Sequence, residues 1–238
     1  DGKNVLCEFP VHLLGIPVMS VSPSDVEDSC EAMGSEINGK KCGTFGIMGT
    51  FSFFPSHTMT TGEGGMIVTD NPECAKLAKR LRNHGKNSGI DFHFDVVGFN
   101  GKMTSIQAAL GIEALKTIDN VIAKRRENWI YLGGEEPGGC KVSPHAFPVI
   151  CDSKKDRDEM LKRLNENGIE CRNLFSCLPT QEEAYSFLGH KRGEFPFDER
   201  IGDCGLYVPC HQYLEKQDLD RIKEIISEKE TQKAPVLA

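Results

Sequence analysis

His57 is the residue whose type and surroundings point most directly to chemistry. It lies five residues after Ser52, in a run rich in serine, threonine and glycine that ends at Gly65. An unperturbed imidazole has a pKa near ~6.5, so it can both accept and donate a proton around neutral pH. Glycines beside such a group allow another molecule to approach the backbone closely. The run therefore indicates a binding site, with a histidine of suitable chemistry for proton transfer.

Three further polar residues lie before and after His57, and each has two interpretations. Asp28 follows the strand-like pair Val26-Glu27, but an isolated aspartate is more often a helix cap or a surface residue. Ser52 could be a strand serine that faces solvent. Asn100 lies shortly before a predicted helix start, where it could be an ordinary turn residue.

Taken together, these segments resemble the DegT/StrS family of nucleotide-sugar aminotransferases over nearly the whole chain. In those enzymes a lysine at the position of His57 forms a Schiff base with pyridoxal 5′-phosphate (PLP). Histidine cannot form that bond, and it is typical of one branch, the PLP-dependent NDP-4-keto-6-deoxyhexose 3-dehydratases. The resemblance implies an α/β fold, with a large domain of the aspartate aminotransferase type and a smaller C-terminal α+β domain.

The resemblance also implies roles for individual residues around the cofactor. Asp28 would pair with the pyridine nitrogen, and Glu31 stands where many relatives contact the ring through glutamine. Ser52 would contact the cofactor phosphate. Asn100 would reach the phosphate in a neighbouring subunit, which implies a homodimer with shared active sites.

With histidine in place of lysine, PLP or pyridoxamine 5′-phosphate (PMP) would be bound non-covalently. His57 would act as the acid/base in removing the C3 hydroxyl of an NDP-4-keto-6-deoxyhexose, a step of deoxysugar and O-antigen-type polysaccharide biosynthesis. Arg172 and His211 would bind the substrate diphosphate or a sugar hydroxyl, or else are surface residues. Two alternatives remain open: a sugar-nucleotide aminotransferase, and a non-catalytic relative that binds a sugar nucleotide or a partner.

The ten cysteines are scattered, and none forms a C-x-x-C or C-x-C motif. This spacing does not support a zinc ribbon or the common iron-sulfur clusters, so we expect reduced thiols and no metal site. Among 3-dehydratases, one known branch uses an iron-sulfur cluster and a reductase partner, and another regenerates PMP from glutamate. The cysteine spacing favours glutamate as the amino donor.

Net charge and apolar content indicate which partners and which cellular location to expect. The 238 residues carry a formal net charge of -7, which argues against nucleic acid and anionic membranes as partners. No apolar run approaches the ~20 residues of a membrane-spanning helix, and no signal peptide is evident. We therefore expect a cytoplasmic protein.

The elements that must position the site follow from periodicity and capping signals. β-rich runs at residues 50–54 and 65–70 flank His57, and a further strand is predicted at 4–12. Asn71-Pro72 begins a helix that ends by Gly85. A capping box of Thr104 and Gln107 begins a long helix that reaches Trp129.

Glycines and prolines at residues 132–143 predict a linker between two domains. It would join a partial PLP-binding large domain, residues 1–131, to a small α+β domain, residues 144–238. The small domain is predicted to contain strands at 145–150, 169–175 and 206–210 and helices at 154–167 and from Glu215. Only ten residues separate Gly15 from Val26, fewer than a parallel crossover needs, so we expect the N-terminal part of the large domain to be missing.

Overall fold

The computed structural model describes residues 7–87, 92–175 and 178–227. The chain divides into two compact units. The first contains the chain up to residue 123 together with residues 136–145, and the second contains residues 124–135 and the chain from residue 146. The domain bounds drawn from the sequence remain a prediction.

Short strands build the first unit. In chain order they are β1 (Val26–Asp28), β2 (Glu36–Ile37), β3 (Lys40–Lys41), β4 (Met48–Ser52), β5 (Gly65–Val68) and β6 (Cys140–Lys141). β1 runs parallel to β4, and β4 pairs with β5 in an antiparallel arrangement. A second small sheet has the order β3-β2-β6, so part of the predicted linker is a strand. Strands were predicted on both sides of His57, at 50–54 and 65–70; strands are present there, but β4 begins and ends two residues earlier and β5 ends two residues earlier.

The first two helices begin at the predicted caps. α1 (Pro72–Arg82) follows Asn71, whose side chain accepts hydrogen bonds from two backbone N–H groups. α2 (Ser105–Leu115) carries the predicted capping box of Thr104 and Gln107. The single helix predicted to reach Trp129 is wrong, because α3 (Ile118–Leu132) is separate from α2.

Thr117 marks the break between α2 and α3. Its hydroxyl donates to the Ala114 carbonyl at 3.3 Å, and its own carbonyl accepts the Val121 N–H at 3.1 Å. The residue therefore closes one helix and opens the next. Apolar residues recur with helical spacing on both sides of Thr117. The sequence pattern therefore does not show that these hydrogen bonds divide the region into two helices.

The predicted strand at residues 4–12 is only partly within the described residues. In residues 7–12, Val11 forms a single parallel bridge with Asp28, and the segment Leu13–Gly15 is a short 3-10 turn. The described part runs parallel to β1, with backbone hydrogen bonds that join Glu8, Pro10 and His12 to Val26 and Asp28, but only the bridge at Val11 is regular enough to count as strand.

Glu27, at the centre of β1, is fully buried and anchors this sheet. Its Oε2 lies 3.0 Å from Nε2 of His12, which is also fully buried. Its two oxygens accept three backbone N–H groups of the loop at 43–46, at 2.5–2.8 Å. One carboxylate thus joins the strand that ends at Asp28 to the loop that leads into β4.

The second unit is an α+β arrangement around one antiparallel sheet. Its elements are β7 (Phe147–Ile150), α4 (Lys154–Glu166), β8 (Arg172–Asn173), α5 (Pro196–Cys204), β9 (Gly205–Val208) and α6 (Lys216–Ser227). The sheet order is β7-β9-β8. Buried side chains from α4, β9 and α6 form its core, namely Met160, Leu164, Leu206, Val208, Leu219, Ile222, Ile225 and Ile226. α5 was not predicted, since its nine residues include a proline and a glycine.

Within the described residues, none of the helices combines the length and apolar content that crossing a membrane requires.

Candidate functional site

Asp28, Ser52 and His57 are grouped by the topology of the first unit. Asp28 ends β1 and Ser52 ends β4, and these strands are parallel neighbours. The carboxyl ends of such strands meet at one edge of a sheet, where ligands of open α/β sheets bind. His57 lies in the turn after β4, where its backbone N–H donates to the Phe54 carbonyl at 3.0 Å.

Asp28 is half-buried and held by local hydrogen bonds. Its Oδ1 accepts the Cys30 N–H at 3.0 Å and the Thr50 hydroxyl at 3.5 Å. Burial, together with a hydrogen bond to Asp28, raises the pKa of the Cys30 thiol to about 11. Cys30 is therefore a neutral neighbour of the carboxylate at physiological pH, and not a reactive thiolate.

Ser52 and Asn100 have simpler surroundings. The Ser52 hydroxyl oxygen accepts the Phe54 N–H at 3.2 Å, which places it at the start of the turn that holds His57. Asn100 is exposed and forms an isolated antiparallel bridge with Asn83, beyond the end of α1. The role of Asn100 in a partner's site stays a prediction.

Glu31 lies close to the same edge and is tied down by the backbone of Leu14. Its Oε2 accepts the Leu14 N–H at 2.7 Å, while its Oε1 lies 3.9 Å from Nε2 of His145. Burial raises the pKa of the Glu31 carboxyl; the Leu14 hydrogen bond opposes this effect and Asp28 adds to it.

His145 is a member of the site that sequence reasoning missed. It is 8% exposed, and its ring meets the His57 ring edge-on, with centroids 5.2 Å apart. One donor atom from each of Glu31, His57 and His145 lies within 4.8 Å of the other two. The sequence offers no local signal for this contact, because His145 belongs to no motif and stands far along the chain.

The turn at Leu14–Gly15 brings Glu31 and His145 together. Leu14 has a left-handed backbone, with φ 52°, and its carbonyl accepts the His145 N–H at 3.0 Å. Gly15 has φ 86°, and a Cβ there would lie 2.0 Å from the Ser143 carbonyl oxygen. Only glycine allows the chain to pass this close.

Arg172 and His211 lie in the second unit. Arg172 is exposed in β8, and its hydrogen bond to Glu170 raises its pKa. Burial, and then the charge of Arg125, lowers the pKa of His211. The Asn128 side chain donates to the His211 carbonyl at 2.8 Å, which fixes this backbone. Substrate-binding roles for Arg172 and His211 remain predictions.

Proteins with similar sequences include enzymes named for reactions of nucleotide sugars. The chain is 33% identical to the GDP-perosamine synthase of Caulobacter vibrioides, over 90% of this chain and 63% of that protein. It is also 33% identical to the GDP-4-keto-6-deoxy-D-mannose 3-dehydratase of Yersinia pseudotuberculosis, over 79% of this chain and 55% of that protein. The chain thus spans a little more than half to about two thirds of the length of these relatives.

Solved structures and a family model agree with this similarity. The E. coli GDP-4-keto-6-deoxy-D-mannose-3-dehydratase with bound hydrated PLP superposes with a TM-score of 0.77 and 28% identity, covering 92% of this chain and 67% of that one. The predicted α/β fold of the PLP-dependent aminotransferase type is confirmed. The model of the DegT/DnrJ/EryC1/StrS aminotransferase family matches residues 25–227, so the chain belongs to that family.

Proposed function

We propose that the protein binds PLP or PMP without a covalent link and removes the C3 hydroxyl of a nucleotide-linked 4-keto-6-deoxy sugar. One observation carries this function: His57 occupies the turn after β4, where the resemblance places the cofactor lysine, at the sheet edge where Asp28 ends β1. The 3-dehydratases of Yersinia pseudotuberculosis and E. coli among its relatives support it.

The donor set at this edge fits such a cofactor. The Asp28 carboxylate is already oriented by Cys30 and Thr50 and would hold a protonated pyridine nitrogen. The Ser52 hydroxyl would contact the phosphate, and Glu31 would lie beside the ring. When bound, the cofactor supplies an electron sink that stabilises a carbanion.

His57 would move the proton that the reaction requires. Its imidazole would take a proton at C4′ of the bound cofactor and give one to the C3 oxygen of the sugar, and that oxygen would leave as water. One imidazole can perform both transfers, because an ordinary imidazole pKa lies close to neutrality. Glutamate is the proposed amino donor that supplies the reducing equivalents for the net loss of oxygen.

Transamination of the same class of substrate is the second candidate function. It is favoured by the relatives named GDP-perosamine synthase, including the one from Vibrio cholerae at 35% identity. His57 argues against it, since an imidazole cannot attach to PLP as the lysine of an aminotransferase does.

One assay separates these functions. The full chain is incubated with PMP, glutamate and GDP-4-keto-6-deoxy-D-mannose, and the sugar nucleotide is analysed by mass spectrometry. Dehydration gives a product with one oxygen fewer, whereas transamination gives a 4-amino sugar. We expect the first product, formed about 10²- to 10⁴-fold more slowly by His57→Asn.

His190→Asn is the matched control, because His190 is an exposed histidine of the second unit that pairs with Glu194. It should leave the rate unchanged. A 4-amino product alone, or equal rates for wild type and His57→Asn, would overturn the proposed function. No turnover with bound cofactor would favour a non-catalytic relative.

A homodimer is the proposed assembly. α2 has no buried residue, and it exposes Ile106, Leu110, Ile112 and Leu115 by 53–77%. A second copy of the chain that covers this helix would remove the apolar surface from water.

A further inference from the structure

We infer that Glu31, His57 and His145 form a binding site for a divalent transition-metal ion, with zinc as the best match. Their donor atoms already lie within 4.8 Å of one another. Zinc bonds of about 2.0–2.2 Å would place tetrahedral donor atoms roughly 3.3–3.5 Å apart. Glu31 Oε1 and His145 Nε2 are 3.9 Å apart, and the three donor atoms lie within 4.8 Å, so side-chain rotations that bring them closer by up to about 1.5 Å would complete the site.

The chemistry of the three side chains selects the class of metal. Two imidazole nitrogens and one carboxylate oxygen suit zinc and similar transition metals, whereas magnesium and calcium prefer oxygen donors alone. Three protein ligands leave a fourth position for water. The site is accordingly of the open type, and not a closed structural site.

The backbone orients two of the ligands before any metal arrives. Leu14 donates its N–H to Glu31 Oε2, which leaves Oε1 on the side of His145. The Leu14 carbonyl accepts the His145 N–H, so the same residue positions both segments. The hydrogen bond to Glu31 orients a ligand side chain, which raises metal affinity, whereas the bond from His145 fixes only the backbone that carries the imidazole.

Local charge also favours a cation. Glu31 is largely buried, and its pKa is raised by that burial and by the nearby Asp28 carboxylate. A divalent ion bonded to Glu31 would offset both effects.

Metal binding at this place has a consequence for the proposed function. A metal that occupies the His57 lone pair prevents that imidazole from accepting a proton. Zinc should then inhibit the dehydration and compete with the cofactor for the site. This consequence rests on the proposed function, whereas the metal site itself rests only on the three side chains.

Cobalt(II) is the probe that tests the ligand set directly. Added to the full chain free of metal and cofactor, it should give visible d–d bands without sulfur-to-cobalt charge transfer. Sulfur bands would assign the metal to cysteines and overturn the site, as would the absence of d–d bands. Burial raises the pKa of Cys42 to about 12, which disfavours its thiolate as a competing ligand.

Zinc titration by calorimetry then tests each residue. Glu31→Gln and His145→Asn should each weaken zinc binding by more than the roughly 10- to 100-fold that loss of a supporting hydrogen bond costs. His190→Asn should bind as tightly as wild type. Circular dichroism identifies any variant that fails to fold. The cobalt spectrum of the wild type tests the metal site without relying on any variant.

The two hypotheses fail separately. Zinc binding at these residues without any sugar product would remove the proposed function and keep the metal site. Formation of the 3-deoxy product with no zinc affinity, or with affinity equal in wild type and His145→Asn, would overturn the metal site alone.

Discussion

Asp28 is the residue whose contribution to cofactor binding can be isolated most cleanly. Its Oδ1 serves the fold through Cys30 and Thr50, and an asparagine retains that oxygen. Asp28→Asn therefore keeps the local hydrogen bonds of Oδ1, removes the negative charge and puts an N–H₂ donor in place of Oδ2. We expect PMP affinity to fall about 10- to 100-fold, as for the loss of a charge-assisted hydrogen bond of ~1.5–3 kcal/mol.

Equilibrium dialysis with PMP measures this change. Glu36→Gln is a suitable control, because Glu36 forms its ion pair with Lys41 at the surface of the small sheet. An Asp28→Asn protein that binds PMP as tightly as wild type would show that the carboxylate does not hold the pyridine nitrogen.

The residues of the site differ in how far they can be predicted from the sequence. Ser52 and His57 belong to one continuous run, and Asp28 ends a strand that pairs with that run. Patterns of this kind lie in short stretches and can be recognised in the amino-acid sequence. His145 joins the site through tertiary folding, with its backbone N–H bonded to the Leu14 carbonyl in the left-handed turn, and such a contact leaves no spacing to recognise.

At the scale of elements, β1 depends on the buried carboxylate of Glu27. Glu27→Gln keeps the size of the side chain but replaces one acceptor oxygen with an N–H₂ group. That group faces backbone N–H donors of the loop at 43–46, or His12, so at least one buried donor loses its partner. We expect the free energy of unfolding to fall by roughly 3–5 kcal/mol.

Urea denaturation followed by circular dichroism measures the loss. Glu36→Gln again provides the comparison, since a surface ion pair contributes only about 0–1 kcal/mol. Similar urea midpoints for Glu27→Gln and Glu36→Gln would mean that the loop at 43–46 rearranges so that its backbone N–H groups find other acceptors.

Helix starts were predictable because capping is local chemistry. Asn71 and Thr104 cap α1 and α2 through side-chain contacts within three residues. The short strands were not predictable at their true length. β8 has two residues of a predicted seven, because its extent is set by pairing with β9 and not by its own composition.

At the scale of the whole molecule, the exposed apolar residues of α2 are the reason to expect a homodimer. Ile106 is 77% exposed and Leu110, one turn later, is 53% exposed. Apolar side chains four residues apart lie on one helix face, and covering such a face removes apolar surface from water. In a homodimer, a second copy would cover it and could bring Asn100 close to its neighbour's site.

The double variant Ile106→Glu and Leu110→Glu tests this assembly. Glutamate is a strong helix former, so α2 should persist while two charges oppose burial of its face. Sedimentation equilibrium should give twice the chain mass of 26.3 kDa for wild type and a single chain mass for the variant. Phe187→Glu, which changes a side chain 78% exposed in the second unit, should remain dimeric. A monomeric wild type, or a double variant that still dimerises, would show that something other than a second copy covers α2.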